Sequence, residues 1–195
     1  MNTFQSKIPV DKTWTLFLDR DGVINVEHVG SYITNWSDFK FCDGALEAIK
    51  QLSSLFGAIV VVSNQRGVGR GIMTLDALKE ISGNMVNAVQ NAGGRIDKVY
   101  VATAISDTDR NRKPNPGMAL QAKEDFPTID FKKSIMVGNA PLDMEFGKRL
   151  AMHTVFITSK HVPIELPSDL IDEQYPTLLS WAKTLQPTAD LLPCH

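Results

Sequence analysis

Five short apolar runs, several cut off abruptly by a polar residue or glycine, constrain this chain more than any other feature. Trp14 to Leu18 ends at Asp19, Ala58 to Val62 at Ser63-Asn64, and Ser134 to Val137 at Gly138-Asn139. Val99 to Val101 and Thr154 to Ile157 complete the series. Continuous rather than alternating apolar runs suit strands covered on both faces, as in a parallel sheet. Helical patterns lie between them. Leu46, Ile49, Leu52 and Leu55 recur at three-residue steps, with Asp43 expected as the N-cap. Thr74 is expected to cap a second helix with the apolar face Leu78, Ile81, Met85 and Val89, stopped by Gly93-Gly94. Pro116 to Phe126 and Pro141 to Ala151 read as helices with proline near the first turn. Strand and helix in alternation predict an α/β fold, a three-layer doubly wound parallel sheet. One domain is expected over Met1 to His195, with a core from about Trp14 to Thr158. The extension from Ser159 reads as loop plus a short helix around Leu178 to Leu185.

In such folds ligands bind beyond the carboxyl ends of the strands, and here those ends carry Asp19, Ser63-Asn64 and Gly138-Asn139. Asp19-Arg20-Asp21-Gly22 places two carboxylates two residues apart on an extended backbone. Such a pair can hold a hard cation and divide nucleophile and acid–base duties. It suits an ordinary strand-end turn as well. Ser63-Asn64-Gln65 is followed by Gly67-Val68-Gly69-Arg70-Gly71, which reads either as a phosphate cradle or as a surface loop. Arg112-Lys113-Pro114 precedes a helix, and Asn139 with Asp143 adds oxygen side chains after the fourth run.

Taken in order, Leu18-Asp19-Arg20-Asp21-Gly22, Ser63-Asn64-Gln65, Arg112-Lys113-Pro114 and Val137-Gly138-Asn139 with Asp143 resemble the haloacid dehalogenase (HAD) superfamily of phosphohydrolases. Within it the chain is most similar to the heptose-1,7-bisphosphate and histidinol-phosphate phosphatase group. The resemblance implies Asp19 as nucleophile, Asp21 as general acid and base, and Lys113 as a phosphate anchor beside Ser63 and Asn64. It implies Mg²⁺ held by Asp19, the Asp21 carbonyl and Asn139. Gln65, Arg66 and Arg112 could reach the rest of the substrate, a phosphorylated sugar; Arg66 either suits a second phosphate or is plain solvated charge. Glu27, His28 and Tyr32 lie where relatives contact the sugar, or in a plain solvated loop.

Two departures stand out. The superfamily's fourth motif usually opens with Asp, and this chain has Asn139, which removes one negative charge from the metal site. Asp143 could support Lys113 or join the metal. Many members of the group carry Cys and His before Arg-Lys-Pro, but Ala102 to Asn111 has neither, so Mg²⁺ without zinc is expected. The chain's two cysteines, Cys42 and Cys194, form no metal-ligand pattern. Neither Asp21 to Asp43 nor Ser63 to Val99 has room for a cap domain, so a capless enzyme with an open site is expected.

Composition bears on partners. Acidic residues number 22 against 20 Lys and Arg, a formal charge of −2 over 195 residues, without the basic excess of duplex-binding proteins. No nucleic-acid partner is expected, and a DNA 3′-phosphatase is the weaker reading. Without a signal peptide or a bilayer-length apolar run, a cytoplasmic monomer with no membrane contact is expected. The rivals to a heptose bisphosphate phosphatase are a histidinol-phosphate phosphatase and a phosphosugar-binding regulator weakened by Asn139.

Overall fold

Alternate residues of the central strands serve opposite cores. In a computed structural model describing residues 8–28, 30–158 and 168–185, β1 (Thr15–Leu18) points Leu16 and Leu18 into one cluster and Phe17 into another. β2 (Ala58–Asn64) and β4 (Ser134–Gly138) do the same, with Ile59, Val61, Ile135 and Val137 opposite Val60 and Met136. The first cluster is closed by α1 (Ala45–Leu55), α3 (Leu75–Asn91) and α6 (Leu178–Ala182). The second is closed by α4 (Gly117–Asp125) and Phe146 of α5 (Pro141–Arg149). Burial on both faces is why these strands read as unbroken apolar runs.

With β3 (Lys98–Ala102), β5 (His153–Ile157) and β6 (Glu173–Tyr175), the sheet runs β3-β2-β1-β4-β5-β6, parallel throughout. The chain winds outward in both directions from β1, leaving a switch point between β1 and β4 where such sheets bind ligands. β2 continues through Ser63 and Asn64, which pair with Val101 and Ala102. Those polar residues are therefore held by the sheet itself.

Local signals translate unevenly. The Thr74 hydroxyl accepts the Ala77 N–H at 3.1 Å, and Leu78, Ile81, Met85 and Val89 are all buried. Asp43, by contrast, is not the cap of α1: the chain enters that helix through Gly44 at φ 74°, and no side chain caps it. The glycine-rich stretch after Gln65 winds into a short helix, α2 (Arg66–Gly69), not an open cradle. Its Gly67 lies under Tyr32, and a Cβ there would meet the ring at 3.0 Å. β6 lies in the stretch expected as loop. Glu173-Gln174-Tyr175 has no apolar run to betray it, and so short an edge strand needs none.

Trp181 of α6 is fully buried, its ring 6.4 Å from that of Phe56. Residues 159–167 and 186–195 of the extension, Cys194 among them, lie outside the described residues. Among the described residues, the segment between β1 and α1 holds a 3-10 turn at Trp36–Asp38 and two isolated bridges, Asp21 with Asn25 and Asn25 with Phe41, and α2 and α3 fill that between β2 and β3. No cap fold is inserted in either. Trp36 stacks on Phe39 at 4.8 Å, and Phe39 meets Phe41 at 5.0 Å, which pins the first segment to the core. No described helix is long and apolar enough to cross a membrane.

Candidate active site

A cleft of about 240 Å³ opens at the carboxyl ends of β1, β2 and β4. It is lined by every residue singled out above for catalysis, metal or substrate except Arg66 and the Gly67 to Gly71 stretch. Its floor is set by the sheet: the Asp19 N–H donates to the Val137 carbonyl at 2.9 Å, extending the β1–β4 pairing one residue past the strand.

Lys113 sits at the centre, 2% exposed, and its ammonium has three partners. Nζ lies 2.7 Å from Asp19 Oδ1, 2.6 Å from Asp143 Oδ1, and donates to the Val62 carbonyl at 2.8 Å. The Lys113 backbone is clamped as well: its N–H donates to Asn64 Oδ1 at 3.0 Å, and Asn64 Nδ2 donates to its carbonyl at 3.2 Å. Asn64 thus positions the lysine through its side chain. Two carboxylates share one buried ammonium. Burial pushes the Asp19 carboxyl up to about 7, the Asp143 charge adds to this, and Lys113 works against it. Burial disfavours the Lys113 ammonium, yet Asp143 and Asp19 outweigh it and hold its pKa above the ordinary value.

Asp143 is fully engaged. Beyond the lysine contact, its Oδ2 accepts the N–H groups of Asn139 at 3.1 Å and Ala140 at 3.0 Å in the first turn of α5. Supporting Lys113 is therefore its visible task. Gly138 makes room for it, since a Cβ there would fall 2.2 Å from Asp143 Cβ. Gly138→Ala is accordingly expected to cost about 2 kcal/mol of stability by overpacking and to lower activity by displacing the Asp143–Lys113 pair. Urea unfolding beside steady-state rates checks both; wild-type values would contradict this packing.

Asp21 occupies a different environment, its side chain 27% exposed. Gln65 Nε2 donates to its Oδ2 at 2.8 Å, Asn25 Nδ2 to its Oδ1 at 2.9 Å, and Arg20 Nη2 reaches both oxygens. Gln65 also donates to Ser63 Oγ at 2.9 Å and is 3% exposed, so its amide turns inward onto the acid rather than outward along a ligand. Arg20, inside the first motif, and Asn25, three residues after it, are site residues that sequence reasoning missed. Asn139 Nδ2 donates to Glu27 Oε2 at 3.1 Å across the cleft mouth. Tyr32 OH accepts from Arg70 Nη1 at 2.9 Å, closing the rim on that side. Arg66 stands outside the lining, its guanidinium paired with Asp107, whose Oδ1 also accepts from Arg112 Nε at 2.9 Å.

Similarity to known proteins identifies the family. A family model described as polynucleotide kinase 3 phosphatase matches residues 15–154. The chain is 38% identical over 139 residues to the D-glycero-alpha-D-manno-heptose-1,7-bisphosphate 7-phosphatase of Mycobacterium bovis, covering 71% of this chain and 73% of that protein. It is 35% identical over 138 residues to the D-glycero-beta-D-manno-heptose-1,7-bisphosphate 7-phosphatase of Yersinia pestis, covering 67% of this chain and 72% of that protein. Its fold matches the crystal structure of D,D-heptose 1,7-bisphosphate phosphatase from B. bronchiseptica complexed with magnesium and phosphate. That match has a TM-score of 0.76 and 22% identity, over 87% of this chain and 96% of that one. The chain belongs to the polynucleotide kinase 3 phosphatase family, and so to the HAD-type phosphatases, among relatives named for heptose bisphosphate.

Proposed function

We propose that the chain is a Mg²⁺-dependent phosphomonoesterase that removes one phosphate from a sugar bisphosphate through a phosphorylated Asp19. D-glycero-D-manno-heptose 1,7-bisphosphate is the leading substrate. The observation that carries this reading is the contrast between two carboxylates: Asp19, buried against Lys113, and Asp21, more open and held by neutral amides and Arg20. Lys113 takes Asp19 Oδ1 and leaves Oδ2 without a hydrogen bond among the described residues, available for in-line attack. As the Asp19–phosphorus bond forms and the ester bond breaks, Asp21 gives its proton to the departing alkoxide. Asp21 then takes a proton from the water that displaces Asp19 and frees inorganic phosphate. Ser63 and Lys113 face the phosphate oxygens and offset their charge.

The donors present suit a hard divalent cation: the Asp19 carboxylate, the Asp21 carbonyl and the Asn139 amide oxygen. Gly22 keeps that corner open, since a Cβ there would lie 2.0 Å from Asn139 Nδ2. Mg²⁺ held by these groups would lessen the repulsion between an anionic nucleophile and an anionic ester. Because Asn139 brings no charge, Asn139→Asp is expected to lower the Mg²⁺ concentration for half-maximal activity by about tenfold. The new carboxylate would face Glu27, now 3.1 Å from Asn139 Nδ2. Adding Glu27→Gln should therefore lower the requirement further. An unchanged Mg²⁺ titration in both variants would contradict Asn139 as a ligand.

The sugar bisphosphate rests on the relatives' names and on two arginines, Arg112 at the cleft and Arg66 at its rim, beyond the single phosphate that Lys113 can serve. The test is kcat/KM across heptose bisphosphate, fructose bisphosphate, histidinol phosphate and a 3′-phosphorylated oligonucleotide. Heptose bisphosphate is expected to lead. A higher value for the oligonucleotide or histidinol phosphate would replace the sugar reading, and binding without turnover of any ester would favour a regulator.

A further inference from the structure

Asp107 lies on the loop between β3 and α4 with its side chain 80% exposed, yet it joins two much less exposed arginines. The Arg112 side chain is 7% exposed and that of Arg66 28%. Both guanidinium groups converge on the same oxygen, Oδ1. Two guanidinium groups that meet this way repel each other unless an anion stands between them. The Asp107 carboxyl is accordingly held below its usual range, first by the Arg112 hydrogen bond. Yet the pairing is incomplete: Arg66 Nε and Arg112 Nη1 are buried without a hydrogen-bond partner among the described residues. One carboxylate oxygen cannot serve these donors as well, whereas a phosphate offers three oxygens and more charge. The loop itself is fixed by backbone contacts, Asn115 Nδ2 donating to the carbonyls of Asp107 and Asp109 at 2.9 and 2.8 Å. The exposed carboxylate can thus swing out while the arginines stay.

We propose that Asp107 is a specificity-determining residue: its carboxylate is the resident counter-anion of Arg66 and Arg112, and the distal anionic group of a substrate takes its place. This rests on the bisphosphate reading above but adds a competitor to it. Holding both arginines, Asp107 cancels one of their two positive charges; esters with one phosphate leave it in place, and esters with two must displace it. The Asp107 carboxylate, exposed to solvent, exchanges readily with another anion, and left beside a bound phosphate it would oppose it.

The experiment compares KM for a sugar bisphosphate and for the matching sugar monophosphate, in wild type and Asp107→Asn. Asp107→Ser runs alongside to separate loss of charge from any contact made by a new amide. The ratio of the monophosphate KM to the bisphosphate KM is expected to rise about fivefold in both variants. In an Arg66→Gln background the same change should move the ratio less than about twofold. If wild type prefers the bisphosphate and the variants leave or narrow that preference, Asp107 only positions the arginines and the proposal is overturned, while the substrate reading stands. If wild type shows no preference but the variants create one, the counter-anion role is supported and the substrate reading fails. If no variant shows a preference, both are overturned.

Discussion

Asp19→Asn is expected to abolish phosphate release, lowering kcat by about 10⁴-fold or more, and at the same time to make the fold more stable at neutral and alkaline pH. The loss follows from removing the only carboxylate that Lys113 holds beside an open oxygen at the end of β1. The gain follows from linkage. The folded-state pKa of Asp19 is raised from an ordinary 3.8 to about 7, chiefly by burial. Between those values the folded chain holds a proton that the unfolded chain has released. Stability therefore falls as pH rises from about 4 to about 7, and the penalty persists above that range. Asparagine carries no such proton. In the presence of a chelator the variant should show a flatter profile and a Tm higher by about 3 °C near pH 8. Identical pH slopes for the two proteins would show that Asp19 is not a strained ionised group.

Lys113→Met should be the most damaging change to the fold and nearly as damaging to turnover. Its ammonium is the charge that offsets Asp19 and Asp143, 2.7 and 2.6 Å away. Removing it leaves two carboxylates facing each other in a buried site, an imbalance that typically costs about 3–5 kcal/mol. The loss of a phosphate-facing cation should lower kcat by about 10³-fold. A second substitution separates the effects. Asp143→Asn in the Lys113→Met background removes one orphaned charge and should restore about 2 kcal/mol in urea unfolding without restoring turnover. If stability is not recovered, the damage lies in lost packing of the lysine stem rather than in charge.

The sheet was legible because burial on both faces writes itself into the sequence. Leu16 and Leu18 face one core and Phe17 the other, so after Thr15 no polar residue interrupts the run until Asp19. The polar residues at the ends of β1, β2 and β4 were visible for the same reason, as the points where the apolar requirement stops. What was not legible depends on partners distant in the chain. Arg20, between two aspartates, gives no sign of being 2% exposed, because only the folded turn lays its guanidinium on Asp21. Gln65 looks free to reach a ligand until Asp21, 44 residues earlier, is seen to accept its amide. Nothing in the sequence marks Asp107, on which Arg66 and Arg112 meet. The glycines of Gly67-Val68-Gly69 suggest a phosphate loop, yet a Cβ at Gly69 would fall 2.3 Å from the Thr103 carbonyl. They permit close packing rather than anion binding.

The covalent step is open to direct observation. The protein is mixed with a sugar bisphosphate and Mg²⁺, quenched in acid during turnover, digested, and its peptides mapped for a phosphoryl group. The expected result is a phosphoryl group on Asp19, absent from the Asp19→Asn protein. Rapid phosphate release with no such group, or with the group on another residue, would contradict Asp19 as the nucleophile.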